Sequence, residues 1–364
     1  MNSIVNKYFI SIIIPFFNSE KFIYNCINSI NKQTFKKKIE VIFINDCSKD
    51  NSLKILEKYQ KKYFKIFSLK KNLGPAAARN VGIQKAKGEY IFFLDIDDLI
   101  SKNTLSVLYD VAKKKNLDLI FSDRKWLENS NNLRKNKYAF PKNKFFDQLE
   151  IKKEMEERYY DPLRAVGLFQ LTGRLIKRKI IIKNKILFEP SLRYLEDEAF
   201  EWDVLGNISS AAYIKKQLYS YNINPNISSG LVEGIVKNFK VKSFKIVIHH
   251  IKKSLIKKNF TKKKISEITS QAYIYLIISS LISLSRSILL KKIDHRVGEK
   301  KRFNLIKKII NDKKTEKALE YYVSSDKESY WIPKLIKWKL PNLLKIFCIL
   351  RAKKILKIRR DSNN

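Results

Sequence analysis

The chain has 364 residues, with 75 Lys and Arg against 35 Asp and Glu, a formal charge of +40. Its 45% hydrophobic and 12% aromatic residues are enough to bury a core, which excludes disorder along the whole chain, and nine Gly and eight Pro exclude collagen-like or linker-dominated architecture. Cys26, Cys47 and Cys348 are odd in number and far apart, so they support neither a disulfide framework nor a cysteine zinc site and fit a reducing compartment.

The first apolar run, Phe9 to Phe17, contains Pro15, has little positive charge ahead of it and lacks a small-residue cleavage site, so it is expected to be a buried strand and not a secretory signal. A strand over Phe9–Ile14 is followed by helical spacing over Glu20–Gln33 and a second strand over Ile39–Ile44. Leu53, Ile55, Leu56 and Tyr59 mark a helix opened by Asp50 or Ser52, and a strand over Phe64–Leu69 comes next. A helix over Pro75–Ala86, with Pro in its first turn, leads through Gly88 to a strand over Tyr90–Leu94. The last pair is a helix around Asn103–Lys115 and a strand over Leu117–Phe121. This alternation predicts an α/β domain over residues 1–230, a mostly parallel sheet with helices on both faces. Residues 231–364 hold 34 Lys and Arg against 10 Asp and Glu, and form the expected second part, a basic helical C-terminal region. The uncharged stretch between Glu267 and Arg286 is marginal for crossing roughly 30 Å of hydrocarbon, and Gln271 and its serines argue against a spanning helix.

In parallel sheets ligands bind beyond the carboxyl ends of the strands. Those ends are polar here: Pro15-Phe16-Phe17-Asn18, Asn45-Asp46-Cys47-Ser48, and Asp95-Ile96-Asp97-Asp98. Asp95 and Asp97, two apart on extended chain, point to the same side, the spacing of a site for Mg²⁺ or Mn²⁺ whose shell a substrate's phosphates complete. The competing reading is acidic capping at a strand-to-helix turn. Neither a G-x-x-x-x-G-K-[ST] loop nor a G-x-G-x-x-G turn follows the first strand, which argues against a Walker ATPase and a standard dinucleotide fold.

Four segments, ISIIIPFFNSEKFIYNCINSINKQTF, IEVIFINDCSKDNSLKIL, NLGPAAARNVGIQKAKGEYIFFLDIDD and TGRLIKRKIIIKNKILFEPSLRYLEDEAF, resemble the bacterial family 2 glycosyltransferases of GT-A fold, in that order and spacing. The resemblance covers residues 9–125 and 172–200. It implies an inverting, non-processive enzyme that uses a UDP-sugar and Mn²⁺ or Mg²⁺. Pro15, Phe17, Asn18 and Glu20 match the family's first nucleotide-binding loop, and Asp46 its uracil-binding aspartate. Arg79 matches the basic residue beside the base and donor phosphates. Asp95-Ile96-Asp97 matches the DxD motif, in which Asp97 is the main metal ligand and Asp95 lies near the ribose, donor sugar and metal. Asp197 matches the catalytic base, with Glu196 beside it as the second catalytic candidate. A carboxylate close to a diphosphate and partly desolvated has a raised pKa and useful basicity, while the bland reading of Glu196, Asp197 and Glu198 is a helix N-terminus; both hold together.

The chain departs from the family pattern at three places. Cys47 stands where a glycine lets backbone approach the nucleotide, Asn222 and Asn224 stand where basic residues are frequent, and no Gln-x-x-Arg-Trp motif is present. Residues 123–171 match nothing specific; Trp126, the polar run Asn129–Asn132 and Tyr159-Tyr160 suit either an acceptor-binding loop or packing on the sheet. His249 and His250 have no acidic or cysteine partner at ligand spacing and read as structural. Residues 331–360 interleave Trp331, Trp338, Phe347, Leu and Ile with Lys and Arg, which fits docking on an anionic membrane surface; a solvated lysine-rich face is the alternative. The expectation is a cytoplasmic enzyme, peripheral on the inner membrane, with a UDP-sugar donor, a glycan or glycolipid acceptor as in lipooligosaccharide, capsule or O-antigen assembly, and no nucleic-acid partner. A non-enzymatic basic module binding nucleic acid or membrane is the rival class.

Overall fold

The computed structural model describes residues 8–59, 61–128, 132–133, 139–160, 167–222, 241–290, 295–323 and 330–361. The chain forms two compact units, one of Met1–Glu154 with Leu163–Ile223 and one of Met155–Pro162 with Asn224–Asn364.

The first unit is built on strand β1 (Ile10–Phe16), whose run of isoleucines is buried on both faces. Such a strand belongs inside a parallel sheet, and β1 pairs in parallel with β2 (Ile39–Asn45) on one side and β4 (Tyr90–Phe93) on the other. Beyond β2 lies β3 (Phe64–Ser68), again parallel. The other half contains β9 (Arg174–Lys177), antiparallel to both β4 and β6 (Leu119–Glu128), then β10 (Ala211–Asn222), parallel to β6, and β5 (Leu99–Ile100). The strand order is β3-β2-β1-β4-β9-β6-β10-β5, with β7 (Asn132–Leu133) on β6 and β8 (Lys144–Phe146) on β10.

Helices α1 (Glu20–Asn31), α2 (Ser52–Lys58), α3 (Pro75–Lys85), α4 (Thr104–Lys114), α5 (Gln148–Glu157), α6 (Arg178–Lys183) and α7 (Glu196–Leu205) join the strands. Helix α1 turns Ile23, Cys26, Ile27 and Ile30 inward at helical spacing, and α4 does so with Leu105, Leu108, Tyr109 and Ala112. Both stripes join Ile12, Ile14, Val41, Phe43 and Phe92 of the sheet in one apolar core.

Two expectations change at the end of the sheet. Strand β6 continues seven residues past Phe121, because β10 pairs with it as far as Asn222. The stretch 217–230 resembles the loop that follows the last core strand in family 2 glycosyltransferases, yet Gln217–Asn222 lie inside β10, while Asn224 falls outside the described residues. Trp126 sits on β6 with its ring 5.0 Å from that of Tyr221, packed across the sheet pair; residues 129–131 are also outside the description.

At the opposite end of the strands Glu40 is fully buried yet satisfied. It accepts Ser11 Oγ and the Lys87 amide, each at 2.6 Å, and pairs with Lys65 Nζ at 2.5 Å. The Gly88 amide donates to Ser11 Oγ at 2.7 Å, so the turn before β4 lies directly on β1.

The second unit is helical: α8 (Val241–Lys257), α9 (Lys262–Leu289), α10 (His295–Ile310), α11 (Lys313–Leu319), α12 (Trp331–Lys337) and α13 (Pro341–Asp361). By length and composition α9 could cross a membrane, but 67% of its most apolar window is buried and α8, α10, α11 and α13 pack around it. Its polar residues are used inside the unit. Gln271 donates to the Val323 carbonyl at 2.6 Å and accepts the Val323 amide at 2.9 Å, and Ser285 Oγ accepts Arg302 at 3.0 Å. These bonds are those of a core helix.

A methyl group on Gly88 would lie 2.5 Å from the Ser11 amide nitrogen and 2.7 Å from the Ile10 carbonyl carbon, backbone atoms that cannot step aside. Gly88→Ala is expected to lower stability by about 1–3 kcal/mol in urea unfolding. An unchanged midpoint would show that the turn can move off β1.

Candidate active site

The loops after β1 and β2 are laced together at the carboxyl end of the sheet. Asn18, in the left-handed region at φ 47°, accepts the Lys49 amide at 2.8 Å, and its own amide donates to Ser48 Oγ at 3.1 Å. Glu20 accepts the Asn51 amide at 3.2 Å, and the Glu20 amide donates to Asp50 at 3.2 Å. Asn18 and Glu20 thus shape the loop pair through backbone. Pro15 stays within β1 opposite Ile44, and Phe17 emerges 42% exposed.

Asp46 is buried, and its two oxygens accept the amides of Leu73 and Gly74, each at 2.7 Å. It therefore holds the turn that starts α3, while each oxygen retains a second lone pair. Cys47 follows at φ 64°, the left-handed conformation for which a glycine is better suited.

Helix α3 carries Arg79 to the centre of the site, where it is 5% exposed. Its Nη2 lies 2.9 Å from Asp95, and its Nη1 lies 3.0 Å from Asp197 and 3.6 Å from Glu196. The guanidinium also stands 5.4 Å from the centre of the Phe188 ring. Burial alone would favour a neutral Arg79; Asp197, Asp95 and Glu196 outweigh it and keep the cation charged. Glu196 and Asp197 open α7 behind Leu195, itself at φ 68°, so the segment is both a helix N-terminus and part of this cluster. Desolvation, followed by the neighbouring Asp197, pushes Glu196 up to about 7. Desolvation also raises Asp197, with Arg79 pulling against it, although 48% of the Asp197 side chain remains open to solvent.

The acidic segment after β4 is a turn and not the extended chain assumed from its spacing: the Asp98 amide donates to the Asp95 carbonyl at 3.0 Å. Tertiary contacts then separate its three carboxylates. Asp98 is buried, accepts Tyr219 Oη at 2.5 Å and the Asn222 amide at 2.8 Å, and so fastens the turn to β10. Desolvation, then Asp97 and Asp95, push it well above the usual carboxylate range. Desolvation, then Asp95, push Asp97 up to about 6, and Arg79 only partly offsets them. Two neighbouring, partly buried carboxyls with hard oxygen donors suit a divalent cation that shares its shell with phosphates. Among the described residues no three His, Cys, Asp or Glu converge as a protein-only metal cage.

Several participants carried no local signal in the sequence. Arg174 on β9 and Glu201 on α7 form an ion pair, both essentially without exposure, beneath the helix that bears Asp197. Arg124 on β6 lies 5.7 Å from the Tyr221 ring centre and adds positive potential at Asp197. Arg193, just ahead of α7, lies against Gly74.

The sequence profile described as glycosyl transferase family 2 matches residues 11–183. The chain is 35% identical over 226 residues to the cholesterol galactosyltransferase of Borreliella burgdorferi, covering 60% of this chain and 62% of that protein. It is 31% identical over 238 residues to an uncharacterized glycosyltransferase of Haemophilus influenzae, covering 65% of this chain and 85% of that one. The crystal structure of residues 1–349 of TarS from Staphylococcus aureus, in complex with UDP-GlcNAc, superposes with a TM-score of 0.67 at 22% identity, over 93% of this chain and 90% of that chain, a likeness of fold.

Arg79→Met is expected to leave Asp95, Glu196 and Asp197 facing one another without a cation, lowering stability at pH 7.5 by about 3 kcal/mol. Carboxyls with raised native pKa values favour the folded state at low pH and lose that contribution as pH rises through them, so the defect should shrink at pH 5.5. Urea unfolding at the two pH values checks this; a defect of equal size at both would mean that Arg79 acts by packing alone.

Proposed function

Because this chain belongs to glycosyl transferase family 2, we propose that it transfers one sugar from a UDP-sugar to a hydroxyl of a lipid-linked or lipid-anchored glycan, with inversion. The observation that carries the reading is Arg79, which ties Asp95 of the acidic turn to Asp197 of α7. It joins the group that the donor would meet to the group that the acceptor would meet. A nucleic-acid-binding module has no use for such an acid centre.

In this mechanism the Asp46 turn and the loops shaped by Asn18 and Glu20 receive the uridine end of the donor. Asp97 and Asp95 would hold Mn²⁺ or Mg²⁺, which when bound neutralises charge on the departing diphosphate. Asp197, half-open to solvent and raised in basicity by desolvation, takes the proton of the acceptor hydroxyl. The hydroxyl oxygen then bonds to the anomeric carbon as the bond to UDP breaks on the opposite face, so one displacement inverts the centre. Glu196, less exposed and nearer neutrality, supports Asp197 through the shared Arg79. The UDP-GlcNAc complex of TarS supports a UDP-linked donor, and the similarity to the cholesterol galactosyltransferase of Borreliella burgdorferi supports an acceptor of lipid character.

The second unit suits an enzyme working on the cytoplasmic face of a membrane. On α13, Leu344, Cys348 and Ala352 recur every four residues and face inward. Leu343, Ile346 and Leu350 lie on another side of the same helix and are 46%, 48% and 54% exposed. Trp331 of α12 and Trp338 are also exposed, with their rings 6.5 Å apart, and Lys334, Lys337, Lys353 and Lys354 lie in the same two helices. An apolar, aromatic-edged face among lysines fits the interface of an anionic bilayer, each basic residue near it contributing about 1 kcal/mol.

Asp197→Asn is expected to reduce transfer about 10²–10⁴-fold while leaving UDP affinity nearly intact, measured by product formation and calorimetry with Mn²⁺. An equal loss in Glu196→Gln alone would move the base there, and failure of every UDP-sugar to bind or turn over under any divalent metal would remove the enzyme reading. Replacing Leu343, Ile346 and Leu350 by serine should release the protein from anionic liposomes without loss of fold. If it pellets as before, this face is not what holds the protein to lipid.

A further inference from the structure

We propose that Arg193 is a donor-phosphate residue, a guanidinium placed to grip the diphosphate between its nucleoside end and the reacting sugar. The claim rests on the donor reading given above and adds to it a residue that no family motif marked.

Three observations place Arg193 there. First, its guanidinium lies on the backbone of Gly74: a methyl group built on Gly74 would come 2.2 Å from Nη1, 3.1 Å from Cζ and 3.4 Å from Cδ. Gly74, at φ +89°, is the residue whose amide Asp46 holds, so a side chain from the approach to α7 reaches across to the turn that starts α3. Second, Arg193 is exposed, and among the described residues it takes part in no hydrogen bond or ion pair. The acids close to it in sequence are engaged elsewhere, Glu189 with the Ser191 amide at 3.1 Å, and Glu196 and Asp197 with Arg79. Asp46 likewise places both oxygens on the Leu73 and Gly74 amides.

The third observation is the charge of the cleft. Asp95, Asp97, Glu196 and Asp197 gather around Arg79, which is already shared by three of them. A diphosphate entering such a site needs donors that the acids have not taken. Arg193 touches Gly74 of the turn that Asp46 holds and stands three residues ahead of the helix bearing Asp197, so it joins by contact and by chain the two elements assigned to the nucleoside and to the base. The planar fork of a guanidinium matches two phosphate oxygens at once, which a lone ammonium does not. Asn222 stands at a position where a basic residue was expected and brings no positive charge to a diphosphate.

The test measures UDP and uridine binding separately, in the presence of Mn²⁺, for the full chain and for Arg193→Ala and Arg193→Lys. Calorimetry follows UDP and ligand-observed NMR follows uridine. Arg193→Ala should weaken UDP about tenfold or more, while uridine affinity stays within about twofold and Lys restores part of the loss. Equal binding of UDP by wild type and Arg193→Ala would overturn the proposal and leave the donor reading standing. Parallel loss of uridine and UDP would also overturn it, because a contact to phosphate cannot weaken a ligand that has none. Failure of the wild type to bind UDP at all would remove the donor reading and this proposal with it.

Discussion

A single buried guanidinium sets the geometry of the site. Arg79 reaches from α3 to the turn after β4 and to the start of α7, elements separated by 16 and 118 residues in the chain. Taking a cation out of water is costly, and the cost is offset only if its hydrogen-bonding groups find anions in good geometry. Arg79 finds Asp95, Asp197 and Glu196, so the position of each acid depends on the other two. The acids in turn need the cation, since at 5% exposure it stands in for the solvent they have lost. The acidic turn after β4 and the start of α7 are thereby placed by one side chain.

Around that centre, aspartates of similar appearance do different things because their surroundings differ. Asp46 and Asp98 are buried and hold backbone amides, one starting α3 and the other fastening β10 to the acidic turn. Asp97 is desolvated and crowded by Asp95, which push its carboxyl up to about 6. Asp197 sits on a helix terminus with half of its side chain in solvent, where a hydroxyl can approach. Left-handed backbone occurs in the loops of the site at Asn18, Cys47 and Leu195, as it does elsewhere at Asn116, Lys185, Asn259 and Lys339. The larger share of the positive charge lies elsewhere, in residues 231–364.

Much of the first unit was legible because its signals are local. The isoleucine run of β1, the inward stripe of α1 and the Pro that opens α3 each declare an element within a few residues, and their observed bounds differ from expectation by only one or two positions. The end of the sheet was less legible: β6 runs on to Glu128 only because β10 lies beside it, and nothing within residues 121–128 announces that partner. The acidic turn shows the same limit. Its composition pointed to a cation, but the assumed extended chain gave way to a turn once the Asp98 amide bonded back to Asp95 and Asp98 was drawn to Tyr219.

The amino-acid sequence by itself determined the alternation of strands and helices, the polar strand ends and the division of charge between the two parts of the chain. These follow from periodicity and composition, which act over a few residues. Only the tertiary structure decided which carboxylate is a structural anchor and which is open to solvent, that α9 is the core helix of its unit, and that Arg193 lies against the turn that starts the helix of Arg79. Burial, counter-charge and close approach are properties of residues far apart in the chain. Gly74 and Arg193 meet in space across 119 positions, and no local pattern encodes that meeting.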